Sequence, residues 1–353
     1  MDHSNGTSLA ENWAERADWL QDSLWRYYYN ADSGIMNQWY PQEYSRAGDN
    51  FYYWWQAHVI DALTDAYERT GDSKYAERIR SLSRSLHAYN GGTFTHNYYD
   101  DMEWTALALL RAYQATGEAE YLSAVLELWA DIQTAWNEHC GGRDGLEKKD
   151  QLDYKNTPAN APAAILAARL YSLLGHEEDL NWAIRIYRWN QANLVDPDTG
   201  FVWDGINRQG DGQIDYDWEF TYCQGVFMGA GIELCRVTGD SSYAADARRT
   251  AEACIDRLCH AESMLLPDEG IDDTGLFKGI LIRYLVQLEQ HFPGNDRVRE
   301  VIWANARMLW EKGLNRTLGL CGPSWEQAPG LPVQLSVQLS GLMLLEGAAK
   351  LKH

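Results

Sequence analysis

Apolar residues recur three and four positions apart over 9–29, 52–68, 73–88, 102–114, 118–137 and 158–174, and the same period continues to the C-terminus. That spacing lines one face of a helix. Strand-like alternation is almost absent. The pattern therefore predicts an all-α protein.

A short turn punctuates the helices. It recurs as Arg69-Thr-Gly-Asp-Ser-Lys-Tyr75, Ala115-Thr-Gly-Glu-Ala-Glu-Tyr121 and Val237-Thr-Gly-Asp-Ser-Ser-Tyr243, with looser versions at Gly175 and Gly294. A glycine in the left-handed conformation ends one helix, and the acidic residue after it starts the next, so each turn closes a helical hairpin. Between the hairpins lie longer connections at 30–50, 90–99, 138–155, 196–215, 264–275 and 315–331. In an up-and-down array the tight turns share one end and the long loops the other. About twelve helices in six pairs suffice to close a toroid, so the expected architecture is an (α/α)6 barrel formed by a single domain over 1–353. Helices entered from long loops carry small and apolar runs such as Ala161-Pro-Ala-Ala-Ile-Leu-Ala-Ala168 and Gly225-Val-Phe-Met-Gly-Ala-Gly231, and these are expected inside. An α-solenoid is the competing architecture, but its repeats would have uniform loops.

Composition then says which end works. The chain holds 16 Trp and 21 Tyr against 7 Phe, an excess of rings that carry a polar handle and suit half-wet surfaces. Many fall in or beside the long loops: Trp39, Tyr40, Tyr44, Tyr52, Tyr53, Trp54, Trp55, Tyr98, Tyr99, Trp104, Tyr154, Trp203, Tyr216, Trp218 and Trp325. Sugars stack their C–H faces on such rings, which makes an uncharged glycan the natural occupant of a cleft there. A formal net charge of −21 and a pI near 4.7 exclude a nucleic-acid partner. No stretch is apolar and long enough to span a bilayer. The chain as given starts without a leader, so a cytoplasmic monomer is expected, or a secreted protein if a leader has been removed. The six cysteines form no CxxC pair and no Cys/His metal spacing, so they read as buried free thiols. Neither a metal nor a cofactor is expected. The segment 211–215 lacks a full calcium-ligand series.

The best candidate for chemistry is Thr95-His-Asn-Tyr-Tyr-Asp-Asp-Met-Glu-Trp104. Glycoside cleavage needs two carboxyls, one ionised and one protonated, and adjacent Asp100 and Asp101 can meet the short spacing of retaining enzymes. At a helix N-terminus the nearer carboxylate is stabilised, while its partner, facing that charge among aromatic rings, has its pKa raised. An ordinary helix cap is the plain alternative. His96 is expected to face solvent, with contact to a sugar hydroxyl as the alternative, and Lys278 and Arg283 to pair with acids such as Asp272 or Asp273, with orientation of a cleft carboxylate as the alternative.

Tyr98-Tyr-Asp-Asp-Met-Glu-Trp104 followed by Ala106-Leu-Ala resembles the signature of glycoside hydrolase family 76, the endo-α-1,6-mannanases and their fungal cell-wall relatives. The likeness runs through Tyr53-Trp-Trp-Gln-Ala57, Cys140-Gly-Gly142, Lys155-Asn156, Trp203-Asp-Gly205, Thr221-Tyr-Cys-Gln-Gly225 and Phe277-Lys-Gly-Ile280. It implies an (α/α)6 barrel, retention of configuration, Asp100 as nucleophile and Asp101 as acid/base. It also implies a cleft lined at Asp204, Tyr222, Gln224 and Asp273, and the quoted motifs add Trp54, Trp55, Gln56, Tyr99 and Asn156 to the expected substrate-binding set. Two places depart from the family pattern. Arg143-Asp-Gly-Leu-Glu-Lys-Lys149 stands where a tryptophan pair is usual, and Cys223 where Asn is common. The expected activity is hydrolysis of α-1,6-mannosidic linkages. A transglycosidase, an epimerase and a non-catalytic glycan-binding protein are the alternatives.

Overall fold

The computed structural model describes residues 12–44, 51–137 and 153–351. Its helices are α1 (Trp13–Tyr28), α2 (Tyr53–Thr70), α3 (Ser73–Tyr89), α4 (Tyr99–Thr116), α5 (Ala119–Gln133), α6 (Thr157–Leu174), α7 (Glu177–Leu194), α8 (Thr221–Thr238), α9 (Ser241–Leu258), α10 (Phe277–His291), α11 (Asp296–Met308) and α12 (Leu335–Lys350). The even-numbered helices touch in sequence, α2 to α4, α6, α8, α10 and α12, and α12 returns to α2. That ring closes the barrel. The odd-numbered helices wrap it, each packed on inner neighbours. The architecture is the expected (α/α)6 barrel.

The inner helices are buried almost all round, as a ring with partners on both sides requires. Small residues set how close they come. A Cβ on Gly225 would stand 2.9 Å from the Leu281 Cα, and one on Gly279 would stand 2.7 Å from the Ser340 Cα, so α8, α10 and α12 approach backbone to backbone. The tight turns behave as their sequence predicts: Gly71, Gly117, Gly175 and Gly239 end α2, α4, α6 and α8 in the left-handed conformation. Asp72 and Asp240 then cap the following helices through the amides of Lys74 and Ser242.

The turn end is sealed by ion pairs. Asp65 of α2 accepts from Arg111 of α4 at 2.8 Å, Arg283 of α10 at 2.7 Å and Lys350 of α12 at 2.6 Å. Asp61 faces Arg111 and Arg283. Arg283 thus pairs with Asp61 and Asp65 rather than with Asp272 or Asp273, while Lys278 donates to the Pro323 carbonyl at 2.5 Å.

At the other end the connections carry short antiparallel pairings that helical periodicity does not reveal. β1 (Trp39–Tyr40) pairs with β6 (Val333–Gln334), β2 (Lys155–Asn156) with β3 (Gly205–Ile206), and β4 (Leu314–Asn315) with β5 (Leu320–Cys321). Single bridges join Tyr29 to Met36 and Val195 to Val202. So α1, α7 and α11 are each followed by a small hairpin. The expected loop at 138–155 falls largely outside the described residues, and with it Cys140 and the departure at 143–149. The five described cysteines are free thiols. No helix among the described residues is long and apolar enough to cross a membrane.

Candidate active site

The loop end opens into a cavity of about 610 Å³ lined by Asp100, Asp101, Asp204 and Asp273 among aromatic rings. A second cavity, of about 310 Å³, lies at the turn end, but the charges of its wall are already paired with one another. The loop-end cavity combines four carboxyl groups with stacking surfaces.

Asp100 and Asp101 sit in the first turn of α4, after an N-cap residue, Tyr98, whose side chain caps nothing. The open amides of that turn are therefore available to the carboxylates. Asp100 Oδ1 accepts from the Asp101 amide at 3.0 Å. Burial pushes the Asp100 carboxyl up to about 7, with the charges of Asp273 and Asp204 adding to the rise and first-turn amides opposing it. Asp101 is raised well above the carboxylate range by burial, then by Asp100 and Asp273. Both carboxyls are thus held towards their protonated forms, which suits one member of such a pair to act as an acid. Burial contributes most to both rises, which neighbouring charge alone does not foretell.

Two other acids are held in place by donors. Asp273 Oδ1 accepts from Trp54 Nε1 at 3.0 Å. Its predecessor Asp272 adopts φ 59° and is clamped by Gln334, which accepts from the Asp272 amide at 2.5 Å and donates to its carboxylate at 2.8 Å. Asp204, 2% exposed, accepts from Tyr222 at 2.9 Å, Arg208 at 3.0 Å, Tyr154 at 3.1 Å and the Cys223 thiol at 3.5 Å. Tyr222 stacks on Phe277 with centroids 3.7 Å apart. Asn156 caps α6 through the Ala159 amide and reaches the cavity wall.

Of the nine expected substrate-binding residues, Trp54, Asn156, Asp204, Tyr222 and Asp273 line this cavity. Trp55, Gln56, Tyr99 and Gln224 do not. Trp55 is fully buried and stacked beneath Tyr52 at 4.1 Å, and Tyr99 is buried in the core. Gln56 accepts from the Met36 amide at 2.9 Å and donates to its carbonyl at 3.0 Å. Gln224 does the same to Val202, at 2.9 and 2.6 Å. Both glutamines fasten the hairpins named above to inner helices. Among the loop aromatics, Tyr52, Trp54, Tyr98, Trp104 and Trp218 face the cavity. Trp203 packs in a small core with Trp189, Leu194 and Phe201, and Trp325 is buried beneath Lys278.

The sequence reading misses Arg208 and expects His96 in solvent. Arg208 lines the cavity, binds Asp204 and Asp215, and lies 3.3 Å from the ring centre of Trp218. Its position four residues after Asp204 is the one clue the sequence carries. His96 does not face open solvent: its Nδ1 lies 3.2 Å from Asp101 Oδ2. Among the described residues, no group of three or more His, Cys, Asp or Glu could hold a metal.

An (α/α)6 barrel whose loop end gathers a pair of buried carboxyls against aromatic faces defines a glycoside hydrolase. The chain belongs to glycosyl hydrolase family 76, whose family model matches residues 12–350. It is similar to the α-1,6-mannanase of Salegentibacter sp. HEL1_6, at TM-score 0.88 and 38% identity over 96% of this chain and 99% of that one. That structure is an inactive variant, with two consecutive aspartates changed to asparagine, in complex with α-1,6-mannotriose. The Lin0763 protein of Listeria innocua matches at TM-score 0.90 and 38% identity, covering 96% and 97% of the two chains. Mannan endo-1,6-alpha-mannosidase DCW1 of Candida glabrata is 24% identical over 309 residues, which is 78% of this chain and 67% of that protein.

Proposed function

We propose that this protein is a retaining endo-α-1,6-mannanase in which Asp100 is the nucleophile and Asp101 the acid/base. The observation that carries the reading is the pair of adjacent, buried carboxyls in the first turn of α4, opening into an aromatic-lined cavity. The inactive double-aspartate variant of the Salegentibacter mannanase, bound to α-1,6-mannotriose, supports it.

Ionised Asp100 attacks the anomeric carbon as Asp101 gives its proton to the glycosidic oxygen. The C–O bond breaks, and its electron pair stays on the departing sugar. Water then adds to the anomeric carbon, yields a proton to Asp101 and releases Asp100. Tyr222, fixed between Asp204 and Phe277, and Trp54, fixed by Asp273, form walls against which the reacting mannose is oriented.

Asp100→Ala should abolish release of reducing ends from α-1,6-mannan without changing the circular dichroism spectrum. Added azide should restore turnover by giving a mannosyl azide of inverted configuration. Asp101→Ala should lose about 10²–10⁴-fold in kcat/KM. Near-normal cleavage by Asp100→Ala, or inverted products from the unmodified enzyme by proton NMR, would sink the assignment.

A further inference from the structure

His96 lines the cavity beside the catalytic pair, and three contacts fix its ring. It stacks on Tyr53, with centroids 4.8 Å apart and planes 7° apart, and Tyr98 lies at 5.5 Å. Tyr53 is itself held by a hydrogen bond from its hydroxyl to the Phe94 carbonyl at 3.1 Å. On the ring edge, the Tyr98 backbone N–H donates to Nδ1 at 3.3 Å. A nitrogen that accepts from an N–H carries no proton, so the neutral ring bears its hydrogen on Nε2, and the one lone pair of Nδ1 faces both the Tyr98 amide and Asp101.

The same Nδ1 stands 3.2 Å from Asp101 Oδ2. Two acceptors do not attract each other, so a proton on Asp101 is what makes this contact favourable. We propose that His96 is a positioning residue for the acid/base: its Nδ1, kept unprotonated by the Tyr98 amide, shares its lone pair with the proton of Asp101 and holds the acid in its protonated form until the leaving oxygen takes that proton. When Asp101 gives up that proton to the leaving oxygen, the bond to Nδ1 is lost, and it reforms when water returns a proton in the second step. This rests on the reading of Asp101 as the acid. The other titratable groups facing Asp101 are Asp100 on its own helix, Asp273 from the loop before α10 and Tyr53 from α2. Neither acid can supply a neutral acceptor while ionised without also repelling the Asp101 charge, and the Tyr53 hydroxyl spends its proton on Phe94. All three raise or leave high the affinity of Asp101 for its proton, and His96 adds a directional bond to that background.

The test compares His96→Phe, which keeps a flat ring against Tyr53 but removes Nδ1, with His96→Asn, whose amide oxygen can stand near the Nδ1 position. On α-1,6-mannan, His96→Phe should lower kcat/KM about 10-fold to 100-fold, and the alkaline limb of its pH profile should move to lower pH, because an acceptor that favours the protonated acid is gone. On a 2,4-dinitrophenyl mannobioside, whose leaving group needs no proton, the loss should be at least about ten times smaller. His96→Asn should restore the alkaline limb. Equal losses on both substrates, or an unmoved limb, would overturn the proposal. If His96→Phe does not fold, nitrogen NMR of the histidine-labelled native enzyme decides: a ring protonated only on Nε2 while the acid limb is active supports it, and a protonated Nδ1 overturns it. Asp101→Ala serves as the control: an alkaline limb that survives this substitution refutes Asp101 as the acid and with it this role of His96, whereas a limb lost in Asp101→Ala but unmoved in His96→Phe refutes the role of His96 alone.

Discussion

Four carboxyls meet at the loop end of the barrel, and burial raises every one of them: Asp100, Asp101, Asp204 and Asp273 all bind protons more tightly in the fold than free in water. A folded-state pKa raised above the unfolded value means that the native state holds a proton which the unfolded state releases. The native state is then penalised progressively as pH rises from the unfolded value towards the folded one, which for Asp100 is about 7. Asp100→Asn carries no such penalty. Its melting temperature should match that of the unmodified enzyme near pH 4 and exceed it by about 2 °C or more at pH 8, as read by differential scanning calorimetry. A variant that melts lower at pH 8 would show that the carboxylate stabilises the fold. The sequence displays this pair openly, because an Asp-Asp after two tyrosines opens a helix that has no conventional cap. It does not display Arg208 or His96 as site residues. Each acquires its role from a side chain it meets only in the fold: Arg208 from Tyr154 and Trp218, and His96 from Tyr53.

At the scale of elements, a recurrent device fastens the long connections. Gln56 near the start of α2, Gln224 near the start of α8 and Gln338 near the start of α12 each reach back to the hairpin that follows an outer helix. They bond Met36, Val202, and Cys321 with Gly319. A primary amide presents one acceptor and one donor side by side, which matches the two backbone groups that a hairpin strand turns inward. Helical period and loop length were legible because they repeat at a fixed spacing. These clamps were not, since each joins positions about 17 to 22 residues apart through a single polar side chain that repeats with no period. Family resemblance alone would place Gln224 against the sugar, whereas the structure ties it to Val202. Gln224→Leu should therefore leave two buried backbone groups unpaired and cost about 2–4 kcal/mol of stability, seen as a lower urea midpoint at an unchanged slope. A sugar ligand would behave otherwise, with a raised KM and the midpoint intact.

Over the whole molecule, ring closure sorts charge as well as shape. At the turn end, basic residues from α4, α10 and α12 neutralise the acids of α2, while the loop-end cavity gathers four acids and, in its described wall, only Arg208 and His96 against them. The chain as a whole carries −21. Such a field is indifferent to a neutral polymer but opposes an anionic one, and exposed charges lose their reach once salt shortens the Debye length to about 10 Å near 0.1 M. With unmodified α-1,6-mannan, kcat/KM should stay within about two-fold between 0.01 and 0.5 M sodium chloride. With a phosphorylated mannan of the same backbone it should start lower and rise several-fold over that range. Steady-state rates on the matched pair of polymers measure this directly. A phosphorylated substrate that is preferred at low salt would mean that a basic surface outside this cavity recruits it.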